Sequence, residues 1–287
     1  MTYDVIDRDD TISQDVKDTL KKNKLDFEVY EFESIDSTNA HAKRMLDRGE
    51  AKEGTRVFSY DQTKGYARYG KEWVSQKGNF FCSIVLKPQI DIRQLSQLSF
   101  VVSLAVGRTI RDLFADSSKK ITYKWPNDIL VDGKKVGGIL LESSMIKGNV
   151  SAEWVLVGIG INTINSPHLE VAYPATSLVE EEADPTTEKK MLFSITENFN
   201  FLYNLWLIKG FPYIRDEWLL NAAFKNQEII VNTLNDSFKG IFKDLNDKGD
   251  MVLALPDGRV RLVSTGEVFF STNHSRLLVI LIIIFLF

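Results

Sequence analysis

Residues Ile121–Glu142 read ITYKWPNDILVDGKKVGGILLE and hold two predicted strands, a charged corner and a glycine pair. Ile121, Thr122 and Tyr123 are β-branched or aromatic and predict a strand, which stops at Pro126 because proline has no amide hydrogen to give to a ladder. Lys124 and Asp128 then stand at a strand's end. Asp132-Gly133, between Val131 and Lys134, is a hairpin signal, since these residue types tolerate the positive φ angles of a tight turn. A second strand is expected to begin at Gly137-Gly138 and to run through Glu142. Paired glycines inside a strand mark the close approach of a ligand or another backbone. A cation, Lys124, and a bare backbone are therefore expected to face one pocket, although a lysine at a strand end is also an ordinary solvated side chain.

Three further stretches carry residues suited to such a pocket. Ser37-Thr38-Asn39 follows a predicted half-exposed strand, Phe27–Phe32, and precedes the helical run Ala40–Leu46. Asp36, Ser37 and Thr38 are all competent N-caps, and hydroxyls and amides at a helix start equally suit the polar head of a ligand. After a predicted strand over Thr55–Tyr60, residues 61–73 read DQTKGYARYGKEW, with Gly65 and Gly70 interleaved with Lys64, Arg68 and Lys71. Backbone amides and cations in this pattern can meet an anion, and the same pattern also makes ordinary surface turns. Within Trp154–Thr163, Gly158 and Gly160 strip one face of a strand of its side chains, leaving a slot for an apolar ligand tail or for a packed helix.

Composition narrows the function classes. With 287 residues, 44% hydrophobic and 26% charged, the chain has material for one large core and a small second unit. A formal net charge of -4 argues against a broad phosphate-binding face, so no nucleic-acid partner is expected. The single cysteine, Cys82, excludes an internal disulfide and, within the apolar run Phe80–Leu86, reads as a small buried hydrophobe rather than a nucleophile; a cytoplasmic location fits. The N-terminal MTYDVIDRDD lacks the basic start and apolar core of a signal peptide. The wholly apolar Leu277–Phe287 is about half of the ~20 residues a membrane helix needs, so it does not read as a transmembrane helix and no membrane partner is expected; a buried strand, a weak membrane-touching tail and a stretch from outside the natural frame all fit it. His41, His168 and His274 have no metal-ligand spacing, and neither a Ser-His-Asp nor a Cys-His set can be assembled, so no metal held by side chains is expected.

Along the rest of the chain, Ile12, Val16 and Leu20 predict a short amphipathic helix within residues 1–25, and Asn79–Lys87 predicts a buried strand. Gln94–Phe114 predicts a long core helix with Leu95, Leu98, Val102, Ala105, Val106 and Ile110 on one stripe. Two helical patterns follow, over 188–207 and 211–224. Beyond Gln227, five short β runs at 228–233, 238–245, 251–255, 259–263 and 267–270, divided by turn residues, predict a small barrel.

These stretches together resemble the biotin protein ligases. The resemblance rests on Lys124-Trp125-Pro126-Asn127-Asp128 followed by a hairpin and Gly-Gly-Ile-Leu at 137–140, on Ser37-Thr38-Asn39, and on Gly158–Asn162, which matches a Gly-x-Gly-Ile-Asn strand. Gly65, Arg68, Gly70 and Trp73 fall in register with the family's Gly-Arg-Gly-Arg-x-Gly loop and its tryptophan, and Gly266-Glu267-Val268 matches the close of its last domain. The loop departs from the pattern at Tyr66, Ala67 and Tyr69, where the family has an arginine, a glycine and often a basic residue. If that glycine's φ was positive, Ala67 costs about 1 kcal/mol or more.

The resemblance implies an α+β fold: a mixed sheet with flanking helices, like those of class II aminoacyl-tRNA synthetases and biotin/lipoate ligases, plus a C-terminal SH3-like β-barrel. Its domains would be an N-terminal extension over 1–25, a catalytic unit over 26–224, the small domain over 225–272 and an apolar tail over 273–287, a short form without a DNA-binding winged helix. It implies biotin held by Ser37, Thr38, Asn39, Gln62, Thr63, Ala67, Arg68, Tyr69, Lys124, Gly137, Gly138, Gly158 and Gly160. ATP and the adenylate would be held by Gly65, Arg68, Gly70, Trp73, Asn127, Asp128 and Asn162, with Lys124 and Arg68 catalytic and Mg²⁺ bound through the phosphates. The implied partner is the biotin carboxyl carrier protein of a carboxylase such as acetyl-CoA carboxylase, and a homodimer is compatible.

A biotin carboxylate attacking the α-phosphate of ATP needs alignment and charge neutralisation rather than a protein base. Closure of the 64–73 loop would shield the acyl-adenylate from water until a carrier lysine attacks. Rival readings are a lipoate–protein ligase, which shares the fold and reaction type, and a catalytically impaired biotin-binding regulator, for which Ala67 and Tyr69 supply the motive.

Overall fold

The computed structural model describes residues 25–116, 118–145, 151–167 and 173–270; the expected N-terminal helix, the apolar tail, His168 and His274 lie outside them. In chain order the elements are β1 (Glu28–Phe32), α1 (Thr38–Asp47), β2 (Thr55–Ser59), β3 (Phe80–Leu86), α2 (Gln97–Arg111), β4 (Ile121–Lys124), β5 (Asp128–Val131), β6 (Lys134–Met145) and β7 (Ala152–Ile161). There follow α3 (Glu188–Lys209), α4 (Phe211–Leu220), β8 (Glu228–Asn232), β9 (Ser237–Leu245), β10 (Met251–Ala254), β11 (Val260–Val263) and β12 (Glu267–Phe270).

The Ile121–Glu142 stretch makes three strands rather than two. β4 ends at Lys124, the corner Trp125–Asn127 reverses the chain, and β5 pairs back on β4 with Lys124 opposite Asp128. Asp132 and Gly133 have φ of 46° and 79°, the two positive values of the expected tight turn, and β6 begins at once at Lys134, ahead of the glycines. The ladder carries an irregularity: Ile129 faces Gly137 and Leu130 faces Lys135, leaving Val136 as the extra residue of a bulge.

The larger sheet has the order β1-β2-β3-β7-β6-β5-β4, parallel between β1 and β2 and antiparallel elsewhere. One face carries α2, α3 and α4 over the main core, which includes Phe80, Phe100, Ile129, Ile159, Phe199 and Trp218. The apolar stripe expected on α2 widens to its whole circumference: every residue from Gln97 to Ile110 except Arg108 is buried, because the helix lies between sheet and helices. On the other face Ala42 and Met45 of α1 pack on Val57, Val85, Trp154 and Leu156. Since α1 covers only part of that face, the rest of it is available for a site.

β8 to β12 form an antiparallel sheet in the order β11-β10-β9-β8-β12, with each strand within a residue or two of its expected span. It meets the larger unit at the Lys-Trp-Pro corner, where Trp125 Nε1 donates to Gly249 O (3.1 Å), and at the start of α2, where Gln97 Nε2 donates to Asp247 O (2.9 Å). Among the described residues no helix is long and apolar enough to cross a membrane.

Candidate active site

On the face shared with α1, strand register sets out two rows. Phe81, Gly160, Gly138 and Asp128 stand side by side on β3, β7, β6 and β5, and the adjacent row is Ser83, Gly158 and Leu140. The glycines are there for close approach. A Cβ on Gly138 or Gly160 would come within 3.0 Å or 2.8 Å of the Trp73 ring, and one on Gly158 within 2.5 Å of Asn39 Oδ1. The slot expected along these glycines is thus bordered by Trp73 from the loop and Asn39 from α1. Gly137 is turned away, toward Gly160 O and Ile161.

The helix start supplies the polar end of the cleft. Ser37 caps α1 by accepting from Ala40 N, as its residue type predicts. Gln62 Oε1 accepts from Thr38 N (2.8 Å) and Thr38 Oγ1 (3.1 Å), and Ser83 Oγ donates to Asn39 Oδ1. Thr38, Asn39, Gln62 and Ser83 are all buried, so these hydrogen bonds satisfy groups that are costly to leave unpaired. Thr63 lies outside the cleft wall, with its amide on Ile35 O.

The lysine facing the cleft is Lys135, where the sequence alone points to Lys124. Lys124 and Asp128 sit behind it: Asp128 Oδ2 is 2.9 Å from Lys124 Nζ and its Oδ1 is 2.6 Å from Lys135 Nζ, and neither Lys124 nor Asp128 lines the cavity. Burial alone would raise the Asp128 carboxyl; the two ammonium groups overcome that and hold it well below the usual carboxylate range. Regular alternation puts Lys135 and Gly138 on opposite faces, and the extra residue at Val136 brings them to the same one. The bulge is braced from outside, because Asn162 N donates to Val136 O (2.7 Å), Lys135 N to Pro174 O (2.8 Å) and Thr176 N to Lys135 O (2.9 Å). Asn162 is thus a buried support rather than part of the wall.

The glycine-and-basic loop closes the cleft from above. Ala67, Arg68 and Trp73 line it; Gly65, Tyr69 and Gly70 do not. Ala67 has φ of −124°, an extended conformation open to any residue, so alanine there carries no backbone penalty. The left-handed positions are Tyr69 and Gly70, at 60° and 69°. Arg68 Nη1 donates to Asn127 Oδ1 (3.2 Å) and Gly266 O (3.3 Å), and Nη2 donates to Thr265 Oγ1 (2.9 Å). Tyr69 Oη also meets Thr265 Oγ1 (2.6 Å) and Lys71 pairs with Glu267, so the loop rests on the β11–β12 turn. Asn127 is fixed by donating from Nδ2 to Ile139 O (2.7 Å). The Trp73 Nε1–H is buried and has no partner among the described residues.

Tyr66, Phe81, Ile139, Leu140 and Ile159 complete the wall. Cys82, on the opposite face in the main core, is fully buried, and burial pushes its thiol up to about 12. Among the described residues no three His, Cys, Asp or Glu side chains gather as a metal site. Two cations, an unpaired indole N–H and a polar pocket at a helix start suit an elongated ligand with a polar head and a phosphate-bearing end.

Comparison with known proteins agrees with this geometry. Residues 31–162 match the biotin/lipoate A/B protein ligase family, and residues 225–271 match the biotin protein ligase C-terminal domain. A biotin–[acetyl-CoA-carboxylase] ligase of Paracoccus denitrificans is 36% identical over 82% of this chain and 97% of its own length. The bifunctional ligase/repressor of Bacillus subtilis is 28% identical over 91% of this chain and 80% of its own. The structure of the Aquifex aeolicus biotin protein ligase in complex with biotin and ATP superposes with a TM-score of 0.71 at 25% identity, covering 84% of this chain and 97% of that one. The mixed sheet, the glycine-floored cleft and both family matches lead to one assignment: the chain belongs to the biotin protein ligases of the biotin/lipoate A/B protein ligase family.

Proposed function

We propose that this protein activates biotin with ATP as biotinyl-5'-AMP, releasing pyrophosphate, and transfers the biotinyl group to a lysine of a biotin carboxyl carrier protein. The observation that carries the reading is the convergence of Lys135, Arg68 and Asn127 on a cleft whose floor is Gly138, Gly158 and Gly160 and whose far end is the polar start of α1. Biotin's ureido ring would sit against Thr38, Asn39 and Gln62, and its carboxylate would reach Lys135.

The chemistry is electrostatic. A carboxylate is already ionised at neutral pH, so the first step needs alignment with the α-phosphate and neutralisation of the charge that builds there. Lys135 from β6 and Arg68 from the loop supply two positive charges. Lys124 is a positioning residue, since it shares the Asp128 carboxylate that orients Lys135. Both oxygens of Asp128 are held by ammonium groups, so a Mg²⁺ ion would be held by the phosphates of ATP and would add positive charge beside Lys135 and Arg68. Trp73 offers its indole N–H to an acceptor on the bound adenylate. The loop on the β11–β12 turn then keeps water from the mixed anhydride until the carrier lysine attacks.

Pyrophosphate release measured with ATP plus biotin, against ATP plus lipoate, tests the proposal. Release with biotin alone supports it; release with lipoate alone makes the chain a lipoate ligase, and release with neither makes it a non-catalytic binder.

A further inference from the structure

A half-buried carboxylate beside the buried head pocket has no part in the reaction. Glu142, on β6, follows Gly138 and Leu140 at every second residue and so stands on the cleft face, opposite Leu156 of β7. Its Oε2 accepts from Asn39 Nδ2 at 2.7 Å and from Tyr66 Oη at 2.7 Å. Tyr66 is one of the loop's departures from the family pattern, and it lines the cleft. A carboxylate only accepts hydrogen bonds, so the amide nitrogen of Asn39 must point at Glu142. The amide oxygen is thereby fixed on the other side, over the bare backbone of Gly158 and against the Ser83 hydroxyl.

We infer that Glu142 is a positioning and specificity-determining residue: it fixes Asn39 with its acceptor oxygen toward the ligand and ties the phosphate loop, through Tyr66, to the same carboxylate. The inference rests on the reading of this cleft as the biotin site. An acceptor held in place matches the N–H groups of a ureido ring and has nothing to offer a dithiolane ring, which carries no N–H. Ser83 takes one lone pair of the Asn39 oxygen, and the second is free for a ureido N–H; discrimination by such a directed hydrogen bond is large compared with discrimination by shape. Tyr66 reinforces the arrangement, since burial, and then its bond to Glu142, raise its phenol and keep the proton on the tyrosine. Loop and head pocket therefore share one acceptor, and a head group that displaces Asn39 also loosens the loop.

The test uses the full chain and two variants. Glu142→Gln keeps size and shape but presents a donor as well as an acceptor, freeing the Asn39 amide to turn over; Tyr66→Phe removes only the loop's bond. Biotin and ATP constants are measured by pyrophosphate exchange, after wild-type exchange with biotin has established that the underlying reading holds. Glu142→Gln should raise the KM for biotin about tenfold, the size of one misdirected hydrogen bond, and leave the KM for ATP within about twofold. Tyr66→Phe should raise the KM for biotin less and speed release of bound biotin. If wild-type exchange is present but the biotin and ATP constants of Glu142→Gln move together or not at all, or if Tyr66→Phe releases biotin at the wild-type rate, the positioning role is overturned while the ligase reading stands. A melting-temperature loss in Glu142→Gln with an unchanged biotin KM would make Glu142 structural and equally overturn it.

Discussion

Lys135 Nζ lies 2.6 Å from Asp128 Oδ1, and the same buried carboxylate takes Lys124 Nζ on its other oxygen at 2.9 Å, so one anion sets the place of two cations of which only Lys135 faces the cleft. Deleting the two lysines should separate chemistry from support. Lys135→Ala should cut pyrophosphate exchange by about a hundredfold or more with the fold intact, as for loss of a preorganised electrostatic contact. Lys124→Ala should cost less in exchange and more in stability, since it leaves a buried carboxylate with one partner fewer. Exchange rates and melting temperatures of both variants check this, and the reverse ranking in exchange would return the principal role to Lys124.

The glycine floor makes a second separation. A side chain at Gly160 meets the Trp73 ring at 2.8 Å, and Trp73 belongs to the loop rather than to the core. Gly160→Ala should therefore displace the ring and weaken biotin binding about tenfold while the melting temperature falls by only a few degrees. Gly138→Val presses on the same ring from β6, where a Cβ would lie 3.0 Å from it, and should behave alike. Calorimetric binding set against thermal unfolding decides; equal losses in both would show that these glycines serve packing alone.

Legibility in the sequence differs from residue to residue. The hairpin at Asp132-Gly133 and the five C-terminal strands were legible, because turn chemistry and period-2 patterning are local. Ser37, Thr38 and Asn39 were as well, since a helix start and a polar ligand site ask for the same residue types. Lys135 was not: a bulge has no side-chain signature in KKVGG, and one extra residue reverses which face every later side chain occupies. Nor was the pairing of Tyr66 with Glu142 or of Arg68 with Thr265, which join residues 76 and 197 positions apart and depend on tertiary placement alone.

The segment behind Lys135 gives a pH dependence. Glu181 is buried and takes Lys134, Lys119 (3.0 Å) and the Thr176 hydroxyl (2.7 Å), next to the Pro174–Thr176 backbone that brackets Lys135. Burial would raise its carboxyl, but the hydrogen bonds from Lys134, Thr176 and Lys119 bring it down to about 2 from an ordinary 4.5. A depressed folded value stabilises the protein above the unfolded value and ceases to do so as the pH falls through the folded one. The melting-temperature gap between wild type and Glu181→Gln should therefore be full above about pH 5 and vanish toward about pH 2. A gap constant across that range would mean that Glu181 contributes shape, not charge.

The loop sets how long the adenylate is held. Arg68 touches the cleft wall at Asn127, the β11–β12 turn at Thr265 and Gly266, and its own loop neighbour Tyr69, whose hydroxyl accepts from Nη2 at 2.9 Å. Arg68→Gly removes all four contacts and a positive charge together. Retention of the adenylate depends on closure more than the first attack does, so the variant should still form adenylate, more slowly, and hold it poorly. Free biotinyl-adenylate then acylates lysines without selection. Thr265→Val lies outside the cleft and removes only the hydroxyl shared by Arg68 and Tyr69; because exposed hydrogen bonds contribute little, its leak should fall between wild type and Arg68→Gly. Each protein is incubated with ATP, biotin and albumin, and the albumin is blotted for biotin. An Arg68→Gly variant that makes adenylate yet labels albumin no more than wild type would rule out this latch, and the Lys71–Glu267 pair would then be the contact that holds the loop shut.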